Sequence, residues 1–292
     1  MITGPVVQRL LRFSLTTADA DRLAVFYAST FGCRRLATEY LSGPAFETLM
    51  GVKGGALRIT LSLGEQIVEL LQFDRQGKPY PNKGSASDLI FQHFAIVVCD
   101  MAEACRRLSA MDGWAAISRD GPQRLPEASG GVTAFKFRDP EGHPLEFLFF
   151  PEGAVPSRWR KRQNGEIFLG IDHSAISISN TARSISFYEN LGFRMSAHSL
   201  NQGAEQENLD DVAGAKAEVT ALMPRESGPH VELLCYRETP PNREAPHSNA
   251  DIATARLVFE SSEFSAPHHF ADPDGHHVIV EGPALRETLT AE

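Results

Sequence analysis

The chain has 292 residues, of which 42% are hydrophobic and 22% charged, and its formal net charge at pH 7 is −9. This length predicts two domains, and this composition excludes a largely disordered or collagen-like chain. The acidic balance gives no broad attraction for phosphate backbones or anionic lipid, so we expect neither a nucleic-acid nor a membrane partner.

Two further features predict a cytoplasmic protein. No basic segment followed by an apolar stretch opens the sequence, and no apolar run approaches the roughly 18 residues of a membrane span. The four cysteines, Cys33, Cys99, Cys105 and Cys235, contain no Cys-x-x-Cys pair. This spacing indicates neither a disulfide framework nor a thiolate zinc site.

The first predicted unit, residues 8–75, has the order strand, helix, hairpin. Residues 9–16 alternate as a strand, and residues 19–30 carry apolar side chains at helical spacing before a glycine that is placed to end the helix. Residues 57–63 and 67–73 then form a predicted hairpin.

The second predicted unit, residues 90–150, has a similar order. It begins with an apolar strand at residues 93–98 and continues through a helical segment at residues 101–111. It closes with strands at residues 134–137 and 145–150, which flank an Asp-Pro-Glu-Gly turn.

The second half of the chain repeats the first at an offset of roughly 160 residues. The run Val-Glu-Leu-Leu occurs at residues 68–71 and again at 231–234. A Phe-Tyr pair shortly before a glycine occurs at residues 26–27 and again at 187–188. Both the spacing and the chemistry of the two halves therefore agree.

This repetition defines a third unit, residues 170–237, and a fourth, residues 250–282. The fourth surrounds an Asp-Pro-Asp-Gly turn and is degenerate, because it is too short to keep its helix. We expect an N-terminal domain at residues 1–150 and a C-terminal domain at 167–283. A linker rich in proline, glycine and asparagine, residues 151–166, would separate them.

The strand-helix-glycine opening, the Asp-Pro-x-Gly turn before a Glu-bearing strand and the fourfold repetition resemble the vicinal oxygen chelate superfamily. That superfamily includes glyoxalase I, methylmalonyl-CoA epimerase, extradiol dioxygenases and bleomycin-resistance proteins. The resemblance implies an α+β fold, in which four βαβββ modules, the last degenerate, form two domains with curled sheets. In this family, paired modules enclose a cleft that holds a divalent metal.

The family's ligands come from the first and last strands of each module. In the order of the four units, those places are held here by Arg12 and Glu69, His93 and Glu146, His173 and Glu232, and Ala255 and Ile279. A protonated arginine cannot bind a metal, so pairing neighbouring units leaves each site incomplete. Pairing the second unit with the third would gather His93, Glu146, His173 and Glu232 around one divalent ion. Nickel, zinc, iron, manganese and cobalt all stay open.

Two histidines and two glutamates match what glyoxalase I-like enzymes present to their metal. The resemblance therefore implies a lyase or isomerase that acts on a small oxygen-bearing molecule. One ligand, Glu232 or Glu146, would serve as the catalytic base. Arg12 and Glu69 would bind substrate or form a structural salt bridge in a site that has lost its metal.

Two alternatives stay open. An Fe(II) extradiol dioxygenase needs only two histidines and one glutamate, but its family signature places a tyrosine where this chain has Lys136 and His269. A metal-free binding protein of the bleomycin-resistance type is favoured by Arg12 and by the emptied fourth unit. The expected partner is a small molecule, and the resemblance makes a homodimer plausible.

Several polar residues lie near the two Asp-Pro turns. His143, His276 and His277 follow the turns, and His268 and His269 lie before the second, so we expect these histidines to be loop residues. Glu281 lies two residues beyond the expected ligand place of the fourth unit, on the same face of the strand, where it could be a shifted ligand.

Overall fold

The computed structural model describes residues 6–81, 84–160, 165–239, 241 and 248–283 of the chain. Within these ranges the chain forms four units of related order, and the described part of the fourth contains three strands without a helix. The α+β prediction with a degenerate fourth unit is confirmed.

The helices and strands of the four units have the following bounds. The first unit comprises β1 (Arg9–Thr16), α1 (Ala20–Phe31), β2 (Arg34–Leu41), α2 (Pro44–Met50), β3 (Ala56–Leu63) and β4 (Gln66–Phe73). The second comprises β5 (Gln92–Val98), α3 (Met101–Ser109), β6 (Ala115–Ala116), β7 (Gln123–Arg124), β8 (Thr133–Arg138) and β9 (Pro144–Phe149), and α4 (Ser157–Arg160) follows it. The third comprises β10 (Phe168–Ser177), α5 (Thr181–Asn190), β11 (Arg194–Gln202), α6 (Ala204–Asp210), β12 (Lys216–Met223) and β13 (His230–Arg237). The fourth comprises β14 (Ala255–Glu260), β15 (His268–Ala271) and β16 (His277–Glu281).

Helix α1 shows why the opening motif folds as it does. The side chain of Asp19 caps its first turn by accepting a hydrogen bond from the backbone N–H of Arg22. The helix ends at Gly32, whose φ of 73° is left-handed and suits a residue without a Cβ. Phe26 and Tyr27 on its inner face are buried. The apolar spacing therefore predicts both the helix and the face that packs on the sheet.

The strands form two sheets. In the described residues, one sheet has seven strands in the order β15-β16-β14-β1-β4-β3-β2. The other has nine: eight follow the order β11-β12-β13-β10-β5-β9-β8-β6, and β7 also pairs with β8. The first sheet therefore joins units one and four, and the second joins units two and three through the antiparallel β5–β10 ladder. Each sheet therefore takes strands from both halves of the chain. The division into two domains at the linker, residues 151–166, stays a prediction.

One apolar core packs against the inner faces of both sheets. Phe13 of the first sheet lies against Phe94 of the second, with ring centroids 5.4 Å apart, and Phe147 and Phe259 belong to the same core. Successive residues of a strand point to opposite faces. The neighbours of Phe94 along β5, His93 and Ala95, therefore point away from this core.

The two Asp-Pro turns fasten each half together. In the first, the carboxylate of Glu141 accepts hydrogen bonds from the backbone N–H groups of Ala18 and Asp19, which precede α1. In the second, Asp274 accepts one from the backbone N–H of Ser179, just before α5. The turn of unit two thus binds the N-terminal end of α1 in unit one, and the turn of unit four binds that of α5 in unit three.

The histidines around these turns have structural partners. His143 is buried and outside any strand, and its Nε2 lies 2.9 Å from the carbonyl oxygens of Thr16 and Ile252. His276 is likewise buried, with its Nε2 2.8 Å from the carbonyl oxygen of Ser177. The loop prediction was wrong for His268 and His269, which lie in β15, and for His277, which lies in β16.

Candidate metal centre

The face of the nine-stranded sheet that points away from the core carries the predicted ligands. His93 pairs directly with Ala175 in the β5–β10 ladder, and Glu232 pairs with Ala175 from the other side. Glu146 pairs with Ala95, which also pairs with His173. Directly paired residues point to the same side of a sheet, so all four predicted ligands share one face.

Two small apolar clusters flank this face. One contains Phe91, Ala175 and Leu234, and the other contains Leu148 and Leu209, which belongs to helix α6. Helix α6 therefore covers part of the sheet beside the predicted ligands. A polar group enclosed by such apolar walls interacts strongly with any charge beside it, because little water screens the interaction.

Three predicted ligands form a compact group. One ligand atom each from His93, Glu146 and His173 lie within 4.8 Å of one another, and all three residues are buried. The Nε2 of His93 lies 3.1 Å from Oε2 of Glu146. Atoms bound to a shared zinc-like ion at about 2.0–2.2 Å lie up to about 4 Å apart. The group is thus close to the size that one divalent ion requires.

His93 supplies the most direct test of whether a metal fits. Both of its ring nitrogens are buried; Nδ1 makes no hydrogen bond to the described residues, and Nε2 lies near Glu146 without hydrogen-bond geometry. A buried polar group without a partner costs about 1–3 kcal/mol. A neutral imidazole nitrogen is also a preferred ligand of divalent transition metals. A metal ion beside His93 would therefore remove an unfavourable feature of this site.

Glu232 lies at the margin of the group. Its Oε2 is 3.6 Å from Nε2 of His173, its Oε1 is 3.4 Å from Nε2 of His230, and 23% of its side chain is exposed. The side chain of Glu146 is only 7% exposed. Glu232 is therefore the more accessible of the two carboxylates to solvent.

Sequence reasoning missed two residues of the site, Asp172 and His230. They form a second candidate metal-binding group with His173, in which Oδ2 of Asp172 lies 3.2 Å from Nδ1 of His173. His230 stands two residues before Glu232, so the strand period could have revealed it. Asp172 could not have been found in this way, because a β-bulge between Ile171 and His173 disturbs the alternation.

The ionisation of the site reflects opposing effects. Burial disfavours the charged form of His173, but Glu232 and Asp172 outweigh it and raise its pKa to about 9. Burial alone would raise the pKa of Glu232, whereas the charges of His173 and His230 lower it to about 2. Burial dominates at His93 and lowers its pKa, which favours the neutral imidazole. Neutral imidazole is the form that binds a metal.

A buried lysine lies beside this group. Lys136 pairs with Glu146 across the β8–β9 ladder, and its Nζ lies 3.8 Å from Oε2 of Glu146. The same Nζ donates a hydrogen bond of 2.6 Å to Asp210, the last residue of α6. Burial would lower the pKa of Lys136, but Asp210 and Glu146 outweigh it and raise this pKa. The lysine therefore places a positive charge next to a candidate ligand.

The first sheet carries the other predicted site residues, Arg12 and Glu69, and holds them in ion pairs. Nε of Arg12 donates to Glu69 at 3.1 Å, and its two terminal nitrogens donate to both oxygens of Glu281 at 2.6 and 2.8 Å. Arg12 and Glu69 do not join the cluster around His93, which belongs to the other sheet. Their role in substrate binding stays a prediction.

In the first sheet, the position that corresponds to His93 is occupied by Arg256. The sequence placed Ala255 at this position, which was wrong by one residue. His93 pairs with Ala175 in one sheet, and Arg256 pairs with Ser14 at the corresponding place in the other. Arg256 is fully buried, and this burial lowers its pKa to about 10. The described part of the fourth unit has no helix after its first strand. The sequence therefore offered no helix start from which to count back to the residue that corresponds to His93.

A sequence model of the Glyoxalase/Bleomycin resistance protein/Dioxygenase superfamily matches residues 9–147 and 170–288. The chain belongs to this superfamily. The resemblance noted in the sequence is confirmed. Among curated protein sequences none matches the chain. No helix in the described ranges is both long and apolar enough to cross a membrane.

Solved structures of glyoxalase-superfamily proteins share the fold across nearly the whole chain. Glyoxalase I from Zea mays has a TM-score of 0.61 at 16% identity, covering 96% of this chain and 95% of that one. Its V278E mutant has a TM-score of 0.63 at 17% identity, with the same coverage. A putative dioxygenase from Bacillus subtilis has a TM-score of 0.56 at 12% identity, covering 96% of this chain and 86% of that one. Identities this low support the fold alone.

Proposed function

We propose that this chain is a divalent-metal-dependent lyase or isomerase of the glyoxalase type, which acts on a small oxygen-bearing molecule. One observation carries the proposal: the ligand atoms of His93, Glu146 and His173 lie within 4.8 Å of one another, and neither ring nitrogen of His93 has hydrogen-bond geometry with a described residue. These three residues would hold the ion. When bound, a divalent ion supplies a Lewis acid that polarises neighbouring substrate oxygens.

Glu232 is our choice for the catalytic base. It is more exposed than Glu146, and it lies 3.6 Å from His173 at the edge of the compact group. Glu232 would then take a proton from the substrate carbon next to the polarised oxygen. Glu146, the other candidate base, would remain a ligand.

A second candidate is an Fe(II) ring-cleavage dioxygenase of the extradiol type. The compact group has two histidines and one carboxylate, which is the ligand set of many non-haem Fe(II) oxygenases. Against this candidate, Lys136 occupies the place at which the extradiol signature has a tyrosine. A metal-free binding protein is the third candidate.

The three candidates differ in metal and in oxygen dependence. We would purify the protein without a metal-affinity tag, determine its metal by elemental analysis, and assay it anaerobically in D₂O against 2-oxo and 2-hydroxy compounds. Deuterium incorporation next to a carbonyl, absent in Glu232→Gln, supports the proposal. Bound iron with oxygen uptake on catechols would replace it by the dioxygenase, and a metal-free protein would replace it by the binding protein.

The expected homodimer and cytoplasmic location stay predictions. Light scattering coupled to size-exclusion chromatography measures the molar mass in solution. A mass near twice the 32.0 kDa of one chain would support the dimer, and a mass near 32.0 kDa would exclude it.

A further inference from the structure

Lys136 is a buried cation on the ligand-bearing face of the second sheet. Its partner across the β8–β9 ladder is Glu146, so both side chains point to the same side of the sheet as His93. Only 4% of the Lys136 side chain is exposed. A charge buried to this degree is costly unless an opposite charge and hydrogen bonds compensate it.

Asp210 provides the compensation and is itself held firmly. Its carboxylate accepts hydrogen bonds from Nζ of Lys136 at 2.6 Å, from Nε2 of Gln206 at 2.6 Å and from the hydroxyl of Tyr236 at 2.8 Å. Helix α6 carries both Gln206 and Asp210, so this helix fixes the position of the ammonium group. The cation is thus anchored before any ligand arrives.

The hydrogen bond to Asp210 uses one of the N–H donors of the Lys136 ammonium group. An ammonium group has three N–H donors, and among the described residues Nζ of Lys136 makes one hydrogen bond, to Asp210. Oε2 of Glu146, at 3.8 Å, is beyond hydrogen-bond distance. Replacing a buried ion pair by apolar residues is often neutral or stabilising, so stability alone gives little reason to keep this pair.

We propose that Lys136 binds the anionic oxygen of a metal-chelated substrate, so that the site selects small molecules with a carboxylate or enolate next to a second oxygen. This inference rests on the proposed metal site. A divalent ion held by Glu146 would share this carboxylate with the nearby ammonium group of Lys136, and the two positive charges would repel each other. A substrate anion that contacts both relieves this repulsion, whereas an uncharged substrate leaves it in place.

Oxalate is a suitable probe, because it carries two neighbouring carboxylates. We would load the full chain with Co²⁺ and measure Co²⁺ and oxalate binding separately by calorimetry. The test variants are Lys136→Met and the double variant Lys136→Met/Asp210→Asn, which removes the buried pair without leaving Asp210 unpaired. The matched control is Lys216→Met/Glu238→Gln, which removes an exposed pair of 2.8 Å elsewhere in the same sheet.

We expect oxalate to bind the double variant about 10–100-fold more weakly than the wild type or the control, because a charge-assisted hydrogen bond is lost. Co²⁺ affinity should change little. Oxalate binding that is equal in wild type and double variant, or absent from the wild type, overturns the role of Lys136. Failure of the wild type to bind Co²⁺ contradicts the metal site instead. The same oxalate titration without metal then decides whether Lys136 binds the anion.

Discussion

The Nε2 of His93 lies 3.1 Å from Oε2 of Glu146, yet neither ring nitrogen of this buried histidine makes a hydrogen bond to the described residues. The two side chains form an ion pair if His93 is protonated, and a neutral His93 at this distance from Glu146 could share a metal ion with it. An unsatisfied buried nitrogen of His93 would destabilise the metal-free protein, and metal binding would remove this cost.

This relationship predicts the behaviour of His93→Leu. The wild type with saturating metal should unfold several degrees higher than the wild type with a chelator, since about 100 times Kd of ligand stabilises by about 2.7 kcal/mol. The variant should show no such gain, and its chelated form should be about as stable as the chelated wild type. Calorimetric scans with and without EDTA measure both differences. A chelated variant that melts far below the chelated wild type would point to a structural histidine.

Asp172 is predicted to tune the metal through His173. Its Oδ2 lies 3.2 Å from Nδ1 of His173, and its Oδ1 accepts a hydrogen bond from the indole N–H of Trp159. Loss of such an orienting carboxylate typically weakens metal binding about 10–100-fold. Asp172→Asn should show a loss of this size in competition with a zinc chelator. Asp211→Asn, which alters an exposed carboxylate, serves as the control and should bind zinc like the wild type.

The cluster around Arg12 is predicted to stabilise the fold without binding metal. Arg12 bonds both Glu69 and Glu281, and removing it leaves two buried carboxylates without this cation. Arg12→Met should lower the free energy of unfolding by about 3–5 kcal/mol in urea titrations. Arg35→Met, which breaks an exposed pair with Asp21, should cost less than about 1 kcal/mol. Loss of bound metal from Arg12→Met at a temperature where it stays folded would show that the two sheets share one site.

His143 predicts a loss of stability at alkaline pH. Burial disfavours its charge, but Asp139 outweighs burial and raises the pKa of His143 to about 9, from about 6.5 in an unfolded chain. The contribution is complete below pH 6.5 and is lost as the pH rises through 9, and it amounts to about 3 kcal/mol. Urea titrations from pH 6 to 9.5 should show a decline that is much smaller in His143→Asn. Parallel profiles for the two proteins would exclude a charged His143.

Much of the fold could be predicted from the sequence, because it depends on local patterns. Helix α1 follows from its apolar spacing and from Gly32, whose left-handed φ ends the helix. The strands that carry His93 and Glu146 follow from apolar runs next to a turn signal. Their period of two then predicts which side chains point away from the core, since the neighbouring Phe94 and Phe147 point into it.

The remaining features depend on contacts between distant parts of the chain. The ladder between β5 and β10 sets His93 opposite Ala175, and no local pattern encodes that register. The bulge that gives Asp172 access to His173 is likewise absent from the alternation of the strand. Asp210 meets Lys136 only because α6, which the sequence pattern did not predict, packs across β8.

The most direct test of the proposed site is the metal content of the wild type and two single variants, His93→Ala and His173→Ala, after purification without an affinity tag. His198→Ala is the control, because this half-exposed histidine lies on β11 of the same sheet. We predict one equivalent of divalent metal in the wild type and the control, and none in either test variant. A wild type without metal, or a full equivalent retained by either His93→Ala or His173→Ala, would contradict a site shared by units two and three.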